Sequence, residues 1–278
     1  MRASIIIPVY NERKNISNCL KSLLNQSYQD FEIIIIDDGS TDNTLAKVKK
    51  IKSSKVAKII SQEHQGPALA RNRGAVASHS EILIFVDADM EFDKDFLLNL
   101  IKPIIEGKSK GTFSKDEYVK NWNNVWARCW VYNASISENR MIPKNAPNQS
   151  PVFRAILKKE FNKVQGFNAR GYDDDWTLSE KLGYKATLAK NATYFHYNPK
   201  SLVEVFKKAK WMATRKHKFG ILGKFYRLLK FTLPFSLAEG LNKAHKYGEP
   251  KFILFKLFFD CGFSLGLIKS IFTKSFAK

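Results

Sequence analysis

Four short stretches of this chain, Ser4–Val9, Glu32–Asp37, Val56–Ser61 and Ile82–Val86, are almost wholly apolar and rich in β-branched residues. Each is closed off by polar or glycine-containing turns. Near-continuous hydrophobicity of this kind predicts strands buried on both faces, as in a parallel sheet. Between the first two, Ile16, Cys19, Leu20, Leu23 and Leu24 recur at helical spacing and fall on one stripe. Thr44–Ile51, Pro67–Ser78 and Phe96–Ile105 read as further crossover helices, the second opening with a proline suited to a first helical turn. The order βαβαβαβ predicts an open α/β sheet, whose ligands gather beyond the carboxyl ends of the strands.

From about Gly107 the pattern turns irregular. Trp122, Trp126 and Trp130 recur every fourth residue, which predicts a helix that packs through its tryptophans, with a sugar-stacking platform as the alternative. Pro143, Pro147 and Pro151 punctuate a loop, and Val152–Ile156 reads as a strand entering a second half of the sheet. Lys181-Leu182-Gly183-Tyr184 reads as a helix end with glycine at C′, followed by a strand through Leu188. Beyond Pro199, Leu202, Val205, Phe206 and Ala209 form an apolar stripe while Lys207, Lys208 and Lys210 face elsewhere, the mark of a basic amphipathic helix. The later apolar runs Phe231–Ala238 and Phe252–Ile268 are broken by Pro234 and by Lys256 and Asp260. The longest uncharged runs here, Phe231–Ala238 and Cys261–Ile268, fall well short of the ~18 residues of a membrane span, so this region is expected to lie on a membrane rather than cross it.

Charge changes the picture more than composition does. The 44% hydrophobic and 26% charged content is that of a globular chain. The 46 Lys and Arg, however, exceed the 26 Asp and Glu by 20, and residues 200–278 hold 17 of the former and 4 of the latter, so 13 of the 20 excess charges lie there. Such a field favours anionic partners: nucleic acid, anionic headgroups or phosphorylated small molecules. Cys19, Cys129 and Cys261 form no CxxC pair, so neither a disulfide framework nor a zinc site is expected, and a reducing compartment is. Met1-Arg2-Ala3-Ser4 runs straight into the first strand without the apolar stretch of a signal peptide, so export by that route is not expected.

The candidate chemistry sits at strand ends. Asp37-Asp38-Gly39-Ser40 follows the second strand, Asp87-Ala88-Asp89 the fourth, and Asp173-Asp174-Asp175-Trp176 the irregular middle. Two carboxylates at the end of a buried strand can hold a divalent cation, and oxygen ligands suit Mg²⁺ or Mn²⁺. A cation so held stabilises a diphosphate as a leaving group. Acidic residues at strand ends also serve as turn-formers and caps, so each motif alone is weak evidence.

Taken together the motifs are more specific. Ser4–Glu12 (SIIIPVYNE), Ile36–Asp42 (IDDGSTD), Gly66–Gly74 (GPALARNRG) and Val86–Asp89 (VDAD) resemble family 2 glycosyltransferases in order and spacing, and Gly171–Leu178 with the later His196 continue the match. The resemblance implies a GT-A fold, that is, a Rossmann-like, mostly parallel sheet flanked by helices. It also implies inverting transfer from a nucleotide diphosphate sugar, UDP- or GDP-linked. By the same resemblance, Pro8, Tyr10 and Glu12 would border the nucleotide and Asp38 would hydrogen-bond its base. Arg71 would approach the diphosphate or organise the acidic cluster. Asp87 would lie by the ribose or metal, and Asp89, with His196, would ligate Mn²⁺ or Mg²⁺. Asp175, or in the alternative register Asp174, would be the base that takes the acceptor proton. The loop from Asn139 to Phe153, ahead of the family-like Phe153-Arg154, would border the acceptor pocket.

The resulting expectation is a catalytic domain over residues 1–200, with a nucleotide-sugar half to about 106 and an acceptor half from 107. A helical, membrane-associating region follows over 201–278. The enzyme would be peripheral or monotopic on the cytoplasmic face of a membrane, with a lipid-linked acceptor and a possible homo-oligomeric state. Two other classes compete. A nucleic-acid-binding protein matches the charge, but no helix-turn-helix, RNP or zinc pattern accompanies it, so no specific nucleic-acid partner is expected. A nucleotidyltransferase on a related sheet would carry a Gly-rich, Lys-containing loop after the first strand, where Pro8-Val9-Tyr10-Asn11-Glu12 stands instead.

Overall fold

The computed structural model describes residues 1–169, 174–213, 223, 226–229 and 231–272. Its contacts divide the chain into two compact units. The first comprises Met1–Glu117, Ile142–Ala169 and Asp174–His196, and the second Tyr118–Met141 and Tyr197 onward. Tyr118–Met141 groups by its contacts with the residues from Tyr197 onward.

The first unit opens with β1 (Ala3–Val9), α1 (Ile16–Leu24), β2 (Phe31–Asp37), α2 (Thr44–Lys49), β3 (Val56–Ser61), α3 (Pro67–Ala77) and β4 (Ile82–Phe85), the order read from the pattern. After it come β5 (Met90–Phe92), α4 (Phe96–Ile105), β6 (Gly111–Phe113) and β7, which begins at Glu117. Later elements are β8 (Gln149–Ser150), β9 (Ala155–Leu157), α6 (Lys158–Lys163), a 3₁₀ turn (Asp174–Trp176), α7 (Thr177–Leu182), β10 (Ala186–Leu188) and β11 (Tyr194–His196), while α5 (Val125–Asn133) belongs to the second unit.

Eight strands form one sheet in the order β3-β2-β1-β4-β9-β6-β10-β8, with β3, β2, β1 and β4 mutually parallel. β9 runs antiparallel to β4 and β6, and β8 antiparallel to β10, so the sheet is mostly parallel. β1, β2 and β4 are covered on both faces, as their unbroken Ile and Val runs require. β3 departs from that expectation, alternating half-buried and exposed residues because it is an edge strand. The Val152–Ile156 strand lies slightly later, over Ala155–Leu157. The helix end at Gly183 is as expected, with the glycine left-handed at φ 73°.

Crossovers from β1 lead to β2 on one side, whereas β4 pairs with β1 on the other, so the strand order reverses between β1 and β4. That reversal opens a crevice at the carboxyl ends of these strands. α3 lies tightly on the sheet because Gly74 has no side chain: a Cβ there would sit 2.4 Å from the Ile6 side chain.

In the second unit, α5, α8 (Leu202–Met212) and the helices Leu233–Tyr247 and Phe252–Phe272 share one core, with Trp130 edge-on to Phe255 and Phe259. Trp126 and Trp130 pack as expected, whereas Trp122 precedes α5. Lys207 and Lys210 are exposed, but Lys208 lies 5.6 Å over the Trp130 ring. Pro234 and the Lys256–Asp260 pair do not break the apolar runs as the sequence suggested. Pro234 sits in a first helical turn, where its missing N–H costs nothing. Lys256 and Asp260 are buried one turn apart at 2.9 Å, and Ser236 donates to Asp260 at 2.6 Å, so the charges are satisfied inside a 21-residue helix. No helix among the described residues is long and apolar enough to cross a membrane.

Candidate active site

Tyr10, Asp38 and Asp87 follow β1, β2 and β4 at the carboxyl edge of the sheet, Arg71 lies in α3, and His196 closes β11 of a separate three-stranded sheet. Pro8 is paired with Ile36 inside β1, and Tyr10 follows the strand with 42% of its surface exposed. Asn11 takes a left-handed turn (φ 57°), and its side-chain oxygen accepts from the Thr41 and Asp42 amides, tying the loop after β1 to the loop after β2. Glu12 lies in the loop four residues before α1, accepting from the Asn15 side chain at 3.0 Å.

Asp38 directly follows β2. It is buried, and its carboxylate accepts from the Gln65 and Gly66 amides at 2.9 Å each and from the Gln62 side chain at 2.7 Å. His64 Nδ1 stands 2.8 Å from the same group. Asp38 thus anchors the segment that enters α3, whose own first turn lacks an acidic residue. The ring of His64 stacks on Tyr10 with centroids 3.9 Å apart, so an aromatic pair rather than a carboxylate is what this corner presents outward.

Arg71, one turn into α3, organises the acidic residues. Its guanidinium donates to Asp87 at 2.7 Å and also to Asp175, joining two motifs that lie 88 residues apart in the chain. Arg154 approaches the second oxygen of Asp87 at 3.3 Å. Burial opposes the charge on Asp87, but Arg71 and then Arg154 outweigh it and hold the carboxyl far below its ordinary range. Burial likewise works against the charge on Arg154, yet Tyr194, Asp87 and Glu117 raise it well above the usual arginine value. Asp87, expected by the ribose or the metal, turns both oxygens to guanidinium groups.

Asp89 faces His196. The link is β5, which no apolar run announced: Met90 pairs with His196 across β5 and β11, and Asp89 is the residue before it. Asp89 Oδ2 stands 2.9 Å from His196 Nε2, while His196 Nδ1 stands 3.1 Å from Glu117. Glu117 also accepts from the Tyr194 hydroxyl at 2.9 Å. Two donor atoms each about 2.1 Å from one cation and at right angles to each other lie about 3 Å apart, so Asp89 and His196 fit adjacent ligands of Mn²⁺ or Mg²⁺. Among the described residues no group of three or more His, Cys, Asp or Glu is placed to hold a metal ion.

Of the triple aspartate, Asp173 lies outside the described residues, as do Gly171 and Tyr172. Asp174 is buried, its carbonyl accepting from Thr177 at 2.6 Å, whereas the Asp175 side chain is 29% exposed and meets Arg71. Trp176 beside it is half exposed. The sequence assigned no role to Glu117, His64 or Tyr194, which belong to no motif, and marked Arg154 only as part of a family-like stretch.

An open, mostly parallel sheet that gathers acidic residues from several strand ends at its switch point defines a GT-A-like α/β protein. The chain belongs to glycosyl transferase family 2, whose model matches residues 4–165. It is similar to the glycosyltransferase GlyG of Streptococcus pneumoniae, with 28% identity over 192 residues, 63% of each chain. An uncharacterised glycosyltransferase of Haemophilus influenzae is 41% identical over 98 residues, 34% of this chain and 37% of that one. The chain thus spans less than two thirds of these relatives. Among solved structures it resembles the mannosyltransferase PcManGT of Pyrobaculum calidifontis in complex with GDP-Man and Mn²⁺, with a TM-score of 0.64 and 18% identity over 99% of this chain and 88% of that one. It also resembles S. aureus TarS 1-349 in complex with UDP-GlcNAc, with a TM-score of 0.59 and 18% identity over 97% and 92%. At these identities the likeness is one of fold.

Proposed function

We propose that this chain is an inverting, cation-assisted glycosyltransferase that moves a sugar from a UDP- or GDP-linked donor to an acceptor. The observation that carries the reading is the Arg71 bridge between Asp87 and Asp175, which joins the donor end of the sheet to the accessible carboxylate of the late acidic motif. The nucleotide would lie over Pro8 and the Tyr10–His64 stack, near Glu12 and the Asp38 loop. Asp89 and His196 would hold Mn²⁺ or Mg²⁺, which when bound offsets the negative charge on the leaving diphosphate. In transfer, the acceptor oxygen bonds to the anomeric carbon as the bond from that carbon to the diphosphate oxygen breaks. Asp175 accepts the acceptor's proton, and the nucleoside diphosphate leaves with the electron pair. Exposure favours Asp175 over the buried Asp174 for this role.

The acceptor is proposed to be lipid-linked. Its support is the second unit, where Leu254, Phe258, Leu265 and Ile268 are exposed between Lys251 and Lys269 on one helix. A screen of UDP- and GDP-sugars with Mn²⁺, read by thermal shift and then by sugar transfer, tests the donor. Asp89→Ala should abolish cation-dependent donor binding. Asp175→Asn should keep donor affinity and lose turnover by roughly 10²–10⁴-fold. A larger loss in Asp174→Asn would reassign the base, and near-normal turnover in all three variants would sink the reading.

A further inference from the structure

Glu117 is a buried carboxylate that no motif accounts for. Its two oxygens are committed to the Tyr194 hydroxyl at 2.9 Å and to His196 Nδ1 at 3.1 Å. Tyr194 and His196 alternate along β11, so both side chains leave the same face of the strand, and Glu117 at the start of β7 receives both. Burying a carboxylate is unfavourable without such partners. The consequence falls on the imidazole. With Nδ1–H donated to Glu117, the neutral ring presents the Nε2 lone pair to Asp89 Oδ2 at 2.9 Å. Two acceptors at that distance repel unless a second ring proton or a metal cation lies between them, and a divalent cation would take the place of that proton.

We propose that Glu117, braced by Tyr194, is the positioning residue that fixes the tautomer and aim of His196, so that His196 and Asp89 bind a divalent cation jointly. The proposal rests on the cation-assisted reading above. A carboxylate on the far nitrogen of a ligating histidine orients the ring and makes it a better donor, and losing such a partner costs about 10–100-fold in metal affinity. Glu117 acts through His196 and touches neither substrate nor cation itself.

The test is Mn²⁺ binding to the full chain, with and without UDP, followed by the EPR signal of free Mn²⁺. Glu117→Leu should weaken binding by about 10–100-fold. Glu117→Gln, whose amide oxygen can still accept from Nδ1–H, should lose less. In a His196→Ala background Glu117→Leu should produce no further loss, because its effect is transmitted through the ring. Should Glu117→Leu fail to fold by circular dichroism, Tyr194→Phe removes one hydroxyl and carries the test, with a several-fold loss expected. Affinities within twofold of wild type in the folded variants would overturn the proposal while leaving the cation itself intact, as His196→Ala alone would then reveal. A full further loss in the His196→Ala background would overturn it by making Glu117 a direct ligand. A wild-type protein that binds no Mn²⁺ in either condition would overturn this proposal together with the cation-assisted reading.

Discussion

Asp87 stands between two guanidinium groups, and its protonation has consequences for both. Arg71 is buried and Arg154 nearly so, and Asp87 is a carboxylate they share. Removing one partner of a buried pair leaves an uncompensated charge, which costs about 3–5 kcal/mol. Asp87→Asn should therefore lower unfolding free energy at pH 7 by about 3 kcal/mol, the lower end of that range, because 30% of the aspartate side chain is exposed. The pH dependence follows from the direction of the shift. The folded carboxyl is held below its unfolded value of about 3.9, so its stabilisation is complete above that value and disappears as pH falls through the depressed one. Urea unfolding of wild type and variant should then differ by the same amount from about pH 5 to 8, and the gap should narrow below about pH 4. A gap that stays constant down to pH 2 would show that Asp87 is not ionised between the arginines.

At the scale of elements, the first half of the fold was legible because the central strands are rich in Ile, Leu and Val and the first crossover helix carries a clear apolar stripe. The candidate site was legible only where residues come in groups, as Asp37-Asp38, Asp87-Ala88-Asp89 and Asp174-Asp175 do. Its short elements were not. β5 has three residues and no alternation long enough to register, yet its pairing with β11 is what sets Asp89 against His196. Asp38 was recognisable as special without its role being so, since only the fold brings the Gln65 and Gly66 amides to its oxygens. Glu117 had no signal at all. In the second unit Lys256 and Asp260 looked like interruptions because the sequence does not display that they neutralise each other inside the helix. The same helix meets α8 through glycines: a Cβ at Gly262 would stand 2.5 Å from the Phe206 carbonyl oxygen, and at Gly266 2.2 Å from that of Lys210. Helix propensity alone would make Gly266→Leu favourable by about 0.8 kcal/mol. The backbone oxygen cannot rotate away, so overpacking at a typical cost of about 1–3 kcal/mol should dominate. Urea unfolding that found Gly266→Leu as stable as wild type would mean that the two helices do not approach this closely.

For the whole molecule, the distribution of charge and apolar surface bears on where the chain would act. Net charge is +20, and 17 Lys and Arg against 4 Asp and Glu place 13 of it in residues 200–278, part of which lies outside the described residues. On the Phe252–Phe272 helix, Leu254, Phe258, Leu265 and Ile268 are each at least 40% exposed, and on the Leu233–Tyr247 helix Leu233 and Leu241 are more so. Scattered exposed leucines are ordinary, but an apolar row along one helix with lysine at both ends matches an interfacial helix seeking anionic headgroups. Each lysine near an anionic surface contributes about 1 kcal/mol, and each buried apolar side chain about 1.5–3 kcal/mol, so neither term needs the other to be measurable. Flotation with vesicles containing phosphatidylglycerol should therefore show binding that weakens with added salt, and Leu254→Asp with Phe258→Asp should reduce it at every salt concentration. The 4-3 spacing of Leu254, Phe258, Cys261, Leu265 and Ile268 is also that of a helix–helix seam, so sedimentation must accompany flotation. If the double variant floats like wild type and instead shifts a dimer to a monomer, the row is an interface between copies of the chain, and the case for a lipid-linked acceptor loses its structural support.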